Sequence, residues 1–182
     1  MNPLPKGRVT VYVVLAVVAA AVDLISKEAA FRQLGVYGGT EWLVDGWLRF
    51  RLFTSLNQGA LWGIGQGFAL VFAGLSVAAL IGIWYWLFRR RGCESLWLTI
   101  ALGFISGGTI GNLYDRVGMP GLTDRDGQTV LAVRDFFDVR LGSFDWAIFN
   151  VADVCLVTGA IMLMLQSVLM SSETPPAAAR AE

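Results

Sequence analysis

Residues 68–88, FALVFAGLSVAALIGIWYWLF, contain no charged side chain over 21 positions. A helix rises about 1.5 Å per residue, so about 20 residues cross the hydrocarbon core of a bilayer, which is about 30 Å thick. Comparable apolar runs occupy residues 9–27, 96–113 and 149–169. The sequence therefore predicts an all-α polytopic membrane protein with four transmembrane helices.

The composition supports the same class and excludes several chemistries. Apolar residues make up 55% of the chain and charged residues 15%, with 14 basic and 14 acidic side chains, whereas soluble domains average about 25% charged. A net charge of zero without a basic run argues against a nucleic-acid partner. The chain has no histidine, which excludes Ser-His catalysis and histidine-ligated zinc.

Carboxylates must therefore carry any acid–base chemistry, and we expect no metal and no cofactor. The two cysteines, Cys93 and Cys155, lie in unlike surroundings, one in a basic turn and one in an apolar run. That placement favours neither a disulfide framework nor a cysteine-rich metal site.

The first apolar run has two interpretations. Lys6 and Arg8 precede it and residues 19–21 are alanines, as in a cleavable signal peptide. We favour an uncleaved span, because the helical pattern continues through residues 23–27 and three further spans follow.

Basic residues predict the orientation. Lys6 and Arg8 precede the first span and Arg89–Arg91 follow the second, and such residues stay on the cytoplasmic side. Both termini are then cytoplasmic in the cell membrane, and outer loops cover about residues 28–67 and 115–148. Residues 1–170 are predicted to form one domain and residues 171–182 a disordered tail.

Both outer loops contain strand patterns. Residues 47–54, WLRFRLFT, alternate apolar and charged side chains, which places Arg49 and Arg51 on one strand face, and residues 129–139, TVLAVRDFFDV, are similarly β-prone. Tryptophans in or beside these loops are expected to anchor in the headgroup layer: Trp42, Trp47, Trp62 and Trp146.

Polar residues gather at the outer ends of the predicted spans, namely Asp23, Lys27, Asn57, Asn112, Asp115, Arg116, Asn150 and Asp153. Spacings of three and four residues place helix neighbours on one face. An acid at membrane depth costs a few kcal/mol unless it meets a partner or water. The pattern predicts a polar pocket under the outer surface.

Simpler interpretations exist for individual features. Asp23 and Lys27 could be only an ion pair that closes a helix, and Asn57 could belong to a loop that merely turns into the second span. Gly103, Gly107 and Gly111 follow the small-xxx-small spacing, which favours close helix packing rather than catalysis.

Asp115 and Asp153 together form a hypothetical catalytic dyad. Two carboxylates in one site share a proton near neutral pH, so one acts as acid and the other as base. Such a pair activates water for amide hydrolysis, but similar pairs serve glycosidases and proton-coupled carriers. The dyad alone does not identify the substrate.

Four segments, DLISK (23–27), NQGALWG (57–63), GGTIGNLYDRV (107–117) and FNVAD (149–153), resemble the bacterial lipoprotein signal peptidases, also called signal peptidase II. The resemblance implies an aspartic endopeptidase that removes the signal peptide of a prolipoprotein before a diacylglyceryl-modified cysteine. It implies four spans, a small extracytoplasmic sheet, an outer helix over the site and inhibition by globomycin. We also expect membrane lipid to be a partner of the protein. The sequence leaves the oligomeric state open, and we favour a monomer.

Within the family motifs, Asp115 and Asp153 match the catalytic aspartates. Residues that match positions lining or bracing the site are Asn57, Asn112, Arg116, Asn150, Asp23 and Lys27.

The chain also departs from the family pattern. Leu61 and Trp62 stand where a smaller residue and a phenylalanine are commoner, and the stretch 117–133 is long and polar. Asp135, Asp138 and Asp145 add carboxylates near the site, and we assign Asp135 and Asp138 structural roles.

Two other classes remain as alternatives. A proton-coupled carrier would use the same aspartates, but it needs access from both sides, and the inner halves of the spans are nearly free of ionisable residues. A non-enzymatic assembly factor would not depend on the dyad.

Overall fold

The computed structural model describes residues 6–59, 65–90 and 95–172. Its four long helices are α1 (Lys6–Leu34), α2 (Ala69–Trp84), α3 (Leu96–Arg116) and α4 (Val151–Ser172), and a π-helical turn, Tyr85–Arg89, extends α2. Four segments are long and apolar enough to cross a membrane: Gly7–Leu34, Ala69–Arg89, Leu96–Arg116 and Val151–Leu169. The four predicted spans are confirmed.

Three strands form a small antiparallel sheet at one end of the bundle. β1 (Leu48–Asn57) pairs with β2 (Val133–Leu141), which pairs with β3 (Phe144–Asp145). Both predicted strands are confirmed. Since β1 follows α1 and β2 lies between α3 and α4, the sheet covers the end of the bundle where those helices meet.

One face of β1 carries an arginine cluster. The guanidinium carbons of Arg49 and Arg51 lie 5.8 and 4.6 Å from the centre of the Trp42 ring, and that of Arg140 lies 5.1 Å from it. Arg49 and Arg51 therefore share a face, as the alternation predicts. Trp42 packs among these cations, which is a more specific role than the interfacial anchor expected for it.

Some predictions fall on parts of the chain that the structure does not describe. These are the statements about Leu61, Trp62, Arg91, Cys93 and the tail beyond Ser172. In residues 35–59 and 117–150, the segments between spans form strands and turns. The covering helix that the resemblance implies is not found there.

Glycines let α3 approach α1 and α4 closely. A Cβ added to Gly103 would lie 3.0 Å from Leu15 of α1, and one on Gly107 would lie 2.5 Å from the Cβ of Ala19. Gly111 faces Asp23, which is also on α1, and Gly108 faces α4. The small-residue spacing therefore serves helix packing, as predicted.

The first helix is continuous through the alanines at 19–21 and packs along α3 beyond them. Ala16, Ala19 and Ala20 are buried. This packing supports α1 as a permanent part of the bundle rather than a removable segment.

We predict that Gly107→Ala destabilises the protein by about 1–3 kcal/mol, because the added methyl group overpacks the contact between α3 and α1. The matched control is Gly74→Ala on α2, where an added Cβ has no neighbour within 4 Å. There the better helix propensity of alanine leaves stability unchanged or slightly raised. Thermal unfolding in detergent compares the two, and equal unfolding temperatures would contradict the close packing of α3 on α1.

Candidate active site

A buried lysine lies at the centre of the polar residues. Lys27 on α1 is 0% exposed, and its Nζ lies 2.7 Å from Asp23 Oδ2, 3.0 Å from Asp115 Oδ2 and 2.9 Å from Asn112 Oδ1. The first two contacts are ion pairs and the third is a hydrogen bond. The Asp23–Lys27 pair is therefore part of the interior and not a surface pair closing a helix.

Asp23 also connects α1 to α4. Its Oδ1 accepts a hydrogen bond of 2.8 Å from the backbone N–H of Ala152, in the first turn of α4. N–H groups in a first turn have no partner within their own helix, so a carboxylate from α1 satisfies one of them. This contact fixes where α4 begins.

Asp115, at the end of α3, is enclosed by cations. It is 0% exposed, and besides Lys27 it accepts hydrogen bonds from the backbone N–H and the Nε of Arg134, each 3.0 Å long. Arg134 Nη1 reaches on to Glu28 Oε2 at 3.1 Å. Asp115 thus joins the end of α3 to Lys27 of α1 and to Arg134 of β2.

Asp153 is held by a reciprocal cap at the start of α4. The backbone N–H of Asn150 donates to Asp153 Oδ2, and the backbone N–H of Asp153 donates to Asn150 Oδ1, both at 3.1 Å. This is a capping-box geometry. Asn112 Nδ2 donates to the other carboxylate oxygen at 2.9 Å. Both carboxylate oxygens of Asp153 therefore accept an N–H group.

Asp135 on β2 is buried, and it forms no ion pair with any residue that the structure describes. Its residue is 2% exposed, and its carboxylate accepts hydrogen bonds from Asn150 Nδ2 at 2.6 Å and Asn57 Nδ2 at 3.1 Å. Burial, and then the charge of Asp153, raise the pKa of Asp135 from 3.8 to about 7, although the two amide hydrogen bonds and Lys27 act in the opposite direction. Asp135 is therefore poised to hold or release a proton near neutral pH.

A cavity of about 670 Å³ brings Asp135 and Asp153 together. Its polar wall consists of Asn57, Asn112, Arg116, Asp135 and Asp153. Its apolar wall includes Trp146 and Ile148 beside the sheet and Val154 and Val157 along α4. The cavity thus joins a polar end to an apolar groove that follows a transmembrane helix.

Arg116 and Asn57 are fixed at the polar end. Arg116 Nη2 donates to the carbonyl oxygen of Gly59 at 3.1 Å, and its guanidinium carbon lies 5.3 Å from the centre of the Phe72 ring. Asn57 Oδ1 accepts from the backbone N–H of Gly59 at 3.0 Å, which leaves its Nδ2 directed at Asp135. Both residues lie on the cavity wall, where the sequence analysis expected them.

The structure separates the hypothetical dyad. Asp153 lines the cavity, but Asp115 does not, because Lys27 and Arg134 enclose it on another side of the cluster. The lining of this cavity therefore does not support Asp115 and Asp153 as one dyad, and that pairing stays a prediction. Asp23, Lys27 and Asn150 brace the site from behind, and Asn57, Asn112 and Arg116 line it.

Asp135 lies on the cavity wall, which the predicted structural role did not include. The same role was predicted for Asp138, which forms a 2.7 Å ion pair with Arg51. The signal was present in the strand pattern, because successive strand residues face opposite sides. Asp135 shares its face with Val133 on the cavity side, and Arg134 faces the other way.

Comparison with known proteins places the chain among membrane peptidases. Residues 15–169 match the family model described as signal peptidase (SPase) II. A lipoprotein signal peptidase of Rhodopirellula baltica is 46% identical over 169 residues, which cover 90% of this chain and 74% of that protein. One from Bacillus pumilus is 31% identical over 163 residues, covering 90% of this chain and 96% of the relative.

Two solved structures share the fold. Both are described as bacterial membrane enzymes determined by the in meso method. The first superposes with a TM-score of 0.74 at 24% identity and covers 93% of this chain and 94% of its own. The second has a TM-score of 0.68 at 25% identity, covering 86% and 91%.

Proposed function

The chain belongs to the signal peptidase II family, and we propose from this premise that Asp135 and Asp153 are the acid and the base with which it cuts its substrates. It is a membrane-embedded aspartic-type peptidase that removes the signal peptide from prolipoproteins. The single observation that carries the assignment is that these two carboxylates line one cavity in reach of the same asparagine, Asn150.

The two aspartates lie in different environments. Asp153 accepts two N–H donors at the N-terminus of α4. Asp135 is more deeply buried and lies beside Asp153, and its pKa is raised to about 7. We therefore assign the resting proton to Asp135 and the role of base to Asp153.

Amide hydrolysis then needs no metal or further nucleophile. Asp153 takes a proton from a water molecule as the water oxygen attacks the scissile carbonyl carbon, while Asp135 gives its proton to the carbonyl oxygen. The tetrahedral intermediate breaks its C–N bond as Asp153 passes its new proton to the leaving nitrogen. Asp135 regains a proton from the hydroxyl group as the carboxylic acid product forms.

Arg116 is suited to hold the substrate backbone. Arg116 Nε is buried and donates to no residue within the described parts of the chain. A guanidinium group on the cavity wall can bind a carbonyl oxygen beside the scissile bond and hold it in the reactive geometry.

The apolar groove supports a substrate that arrives within the membrane. Val154 and Val157 are 46% and 57% exposed on α4, and in a bilayer this face meets lipid. A signal helix or the acyl chains on the modified cysteine can reach the two aspartates along it by lateral diffusion. Water for the reaction is held at the polar end of the cavity.

The membrane orientation is also part of the proposal. Arg8, Arg89 and Arg90 lie at the end of the bundle opposite the sheet, and basic residues remain cytoplasmic. This supports cytoplasmic termini and an active site near the extracytoplasmic face. The family membership favours a peptidase over the carrier and the assembly factor.

Asp135→Asn and Asp153→Asn are each expected to lower the rate of cleavage by at least about a hundredfold, because each removes one proton-transfer group. The assay uses purified protein in detergent, a prolipoprotein with a diacylglyceryl-modified cysteine, and globomycin as an inhibitor. The matched control is Asp145→Asn, since Asp145 is 68% exposed and pairs only with Arg140 among the described ion pairs. Cleavage at the parental rate by either cavity variant would contradict the proposed pair.

The cleavage rate should depend on pH through Asp135. Below about pH 7 Asp135 holds the proton that the carbonyl oxygen needs, and above its pKa of about 7 it loses that proton. We predict that kcat/KM falls about tenfold per pH unit on the alkaline side, because kcat/KM reports the groups of the free enzyme. Measurements from neutral to alkaline pH, with Asp145→Asn alongside, check this. A profile that stays flat through two units above neutrality would contradict it.

A further inference from the structure

Strand β2 separates two cavities. Val133 and Asp135 line the cavity described above, while Arg134, between them, lines a second cavity of about 630 Å³ beside α1. This division follows from the alternation of side chains along a strand. Whatever holds Arg134 on one side of the strand therefore also holds Asp135 on the other.

Sheet pairing is interrupted at this point. Ser55 of β1 pairs with Asp135 and Leu52 pairs with Phe137, so the register shifts between these two pairs. An irregularity of this kind places extra residues on one strand and disrupts the ladder locally. Asp135 therefore needs a constraint in addition to its pairing with β1.

Asp115 supplies that constraint through two bonds to one residue. It accepts the backbone N–H of Arg134 and the Nε of the same residue, each at 3.0 Å. The carboxylate itself is immobile, because it is fully buried and Lys27 holds it at 3.0 Å. The Arg134 side chain is only 4% exposed, and its Nη1 contacts Glu28 on α1 at 3.1 Å.

We propose that Arg134 is a positioning residue for the peptidase reaction, which clamps β2 to Asp115 so that Asp135 meets the scissile carbonyl in the reactive geometry. The inference rests on the proposed function. Arg134 contacts no reacting atom, because its side chain lies in the other cavity. Arg134 and Asp135 are consecutive residues. If Arg134 moves relative to Asp115, the carboxyl group of Asp135 therefore moves with it.

Misplacement of a catalytic group by about 1 Å costs up to about a hundredfold in rate. Arg134→Met removes the Nε bond and the contact with Glu28, but it leaves the backbone bond to Asp115 and the Lys27–Asp115 pair intact. We expect the variant to fold, with kcat lowered at least about tenfold and KM within about twofold of the parent. If it does not fold, Arg134→Gln replaces it, since its amide can still donate one hydrogen bond to Asp115.

Two further variants separate positioning from simple loss of stability. Arg134→Lys keeps a cation beside Asp115 and should recover kcat to within about threefold of the parent, although the bond to Glu28 is lost. Glu28→Gln is the matched control, because it alters the exposed end of the Arg134 interaction and leaves the clamp to Asp115. Its kcat should stay within about twofold of the parent.

The experiment combines steady-state cleavage of the diacylglyceryl-modified prolipoprotein with hydrogen–deuterium exchange of residues 133–141. The inference requires both a lower kcat at constant KM and faster exchange in Arg134→Met. A parental kcat in that variant overturns the inference, with or without faster exchange, and a raised KM at parental kcat shows instead that Arg134 contacts substrate. A parent protein that leaves the substrate uncut overturns the proposed function, and this inference with it.

Discussion

The ammonium group of Lys27 is the constraint on which the rest of the site depends. It is a buried cation shared by Asp23, Asp115 and Asn112. A charge in this position is stable only with such partners, so α1 and α3 are held in one register. Asp23 also accepts a hydrogen bond from the backbone of α4, and Asp115 accepts one from the backbone of β2. The amide group of Asn112 donates to Asp153.

Contact with Lys27 divides the carboxylates of the site into two groups. Asp23 and Asp115 both form ion pairs with it. Among the described residues, the side chains that donate to Asp135 are the amides of Asn57 and Asn150, and burial beside Asp153 raises its pKa to about 7. The two acids paired with Lys27 join the helices and the sheet. The two acids on the cavity wall are those proposed to carry out proton transfer.

Helical spacing predicted much of the site, because residues three and four apart must share a face. That rule correctly placed Asn112 and Asp115 on one face, where both contact Lys27, and Asn150 beside Asp153. Apolar run length predicted the four spans. The spacing rule did not identify the neighbour of each face. Asp115 was paired with Asp153 because both lie at the outer ends of their spans, whereas Arg134, on strand β2, donates to the Asp115 carboxylate. Asp135 was missed because its position depends on a strand folding back over the helices.

Infrared spectroscopy of the aspartate side chains tests the central claim most directly, namely that Asp135 holds the exchangeable proton. The parent protein should show the carbonyl stretch of a protonated carboxylic acid, lost with a midpoint of about pH 7. Asp135→Asn should remove this band, and the exposed control Asp145→Asn should retain it. A band that survives in Asp135→Asn, or that disappears in Asp145→Asn, would contradict the account.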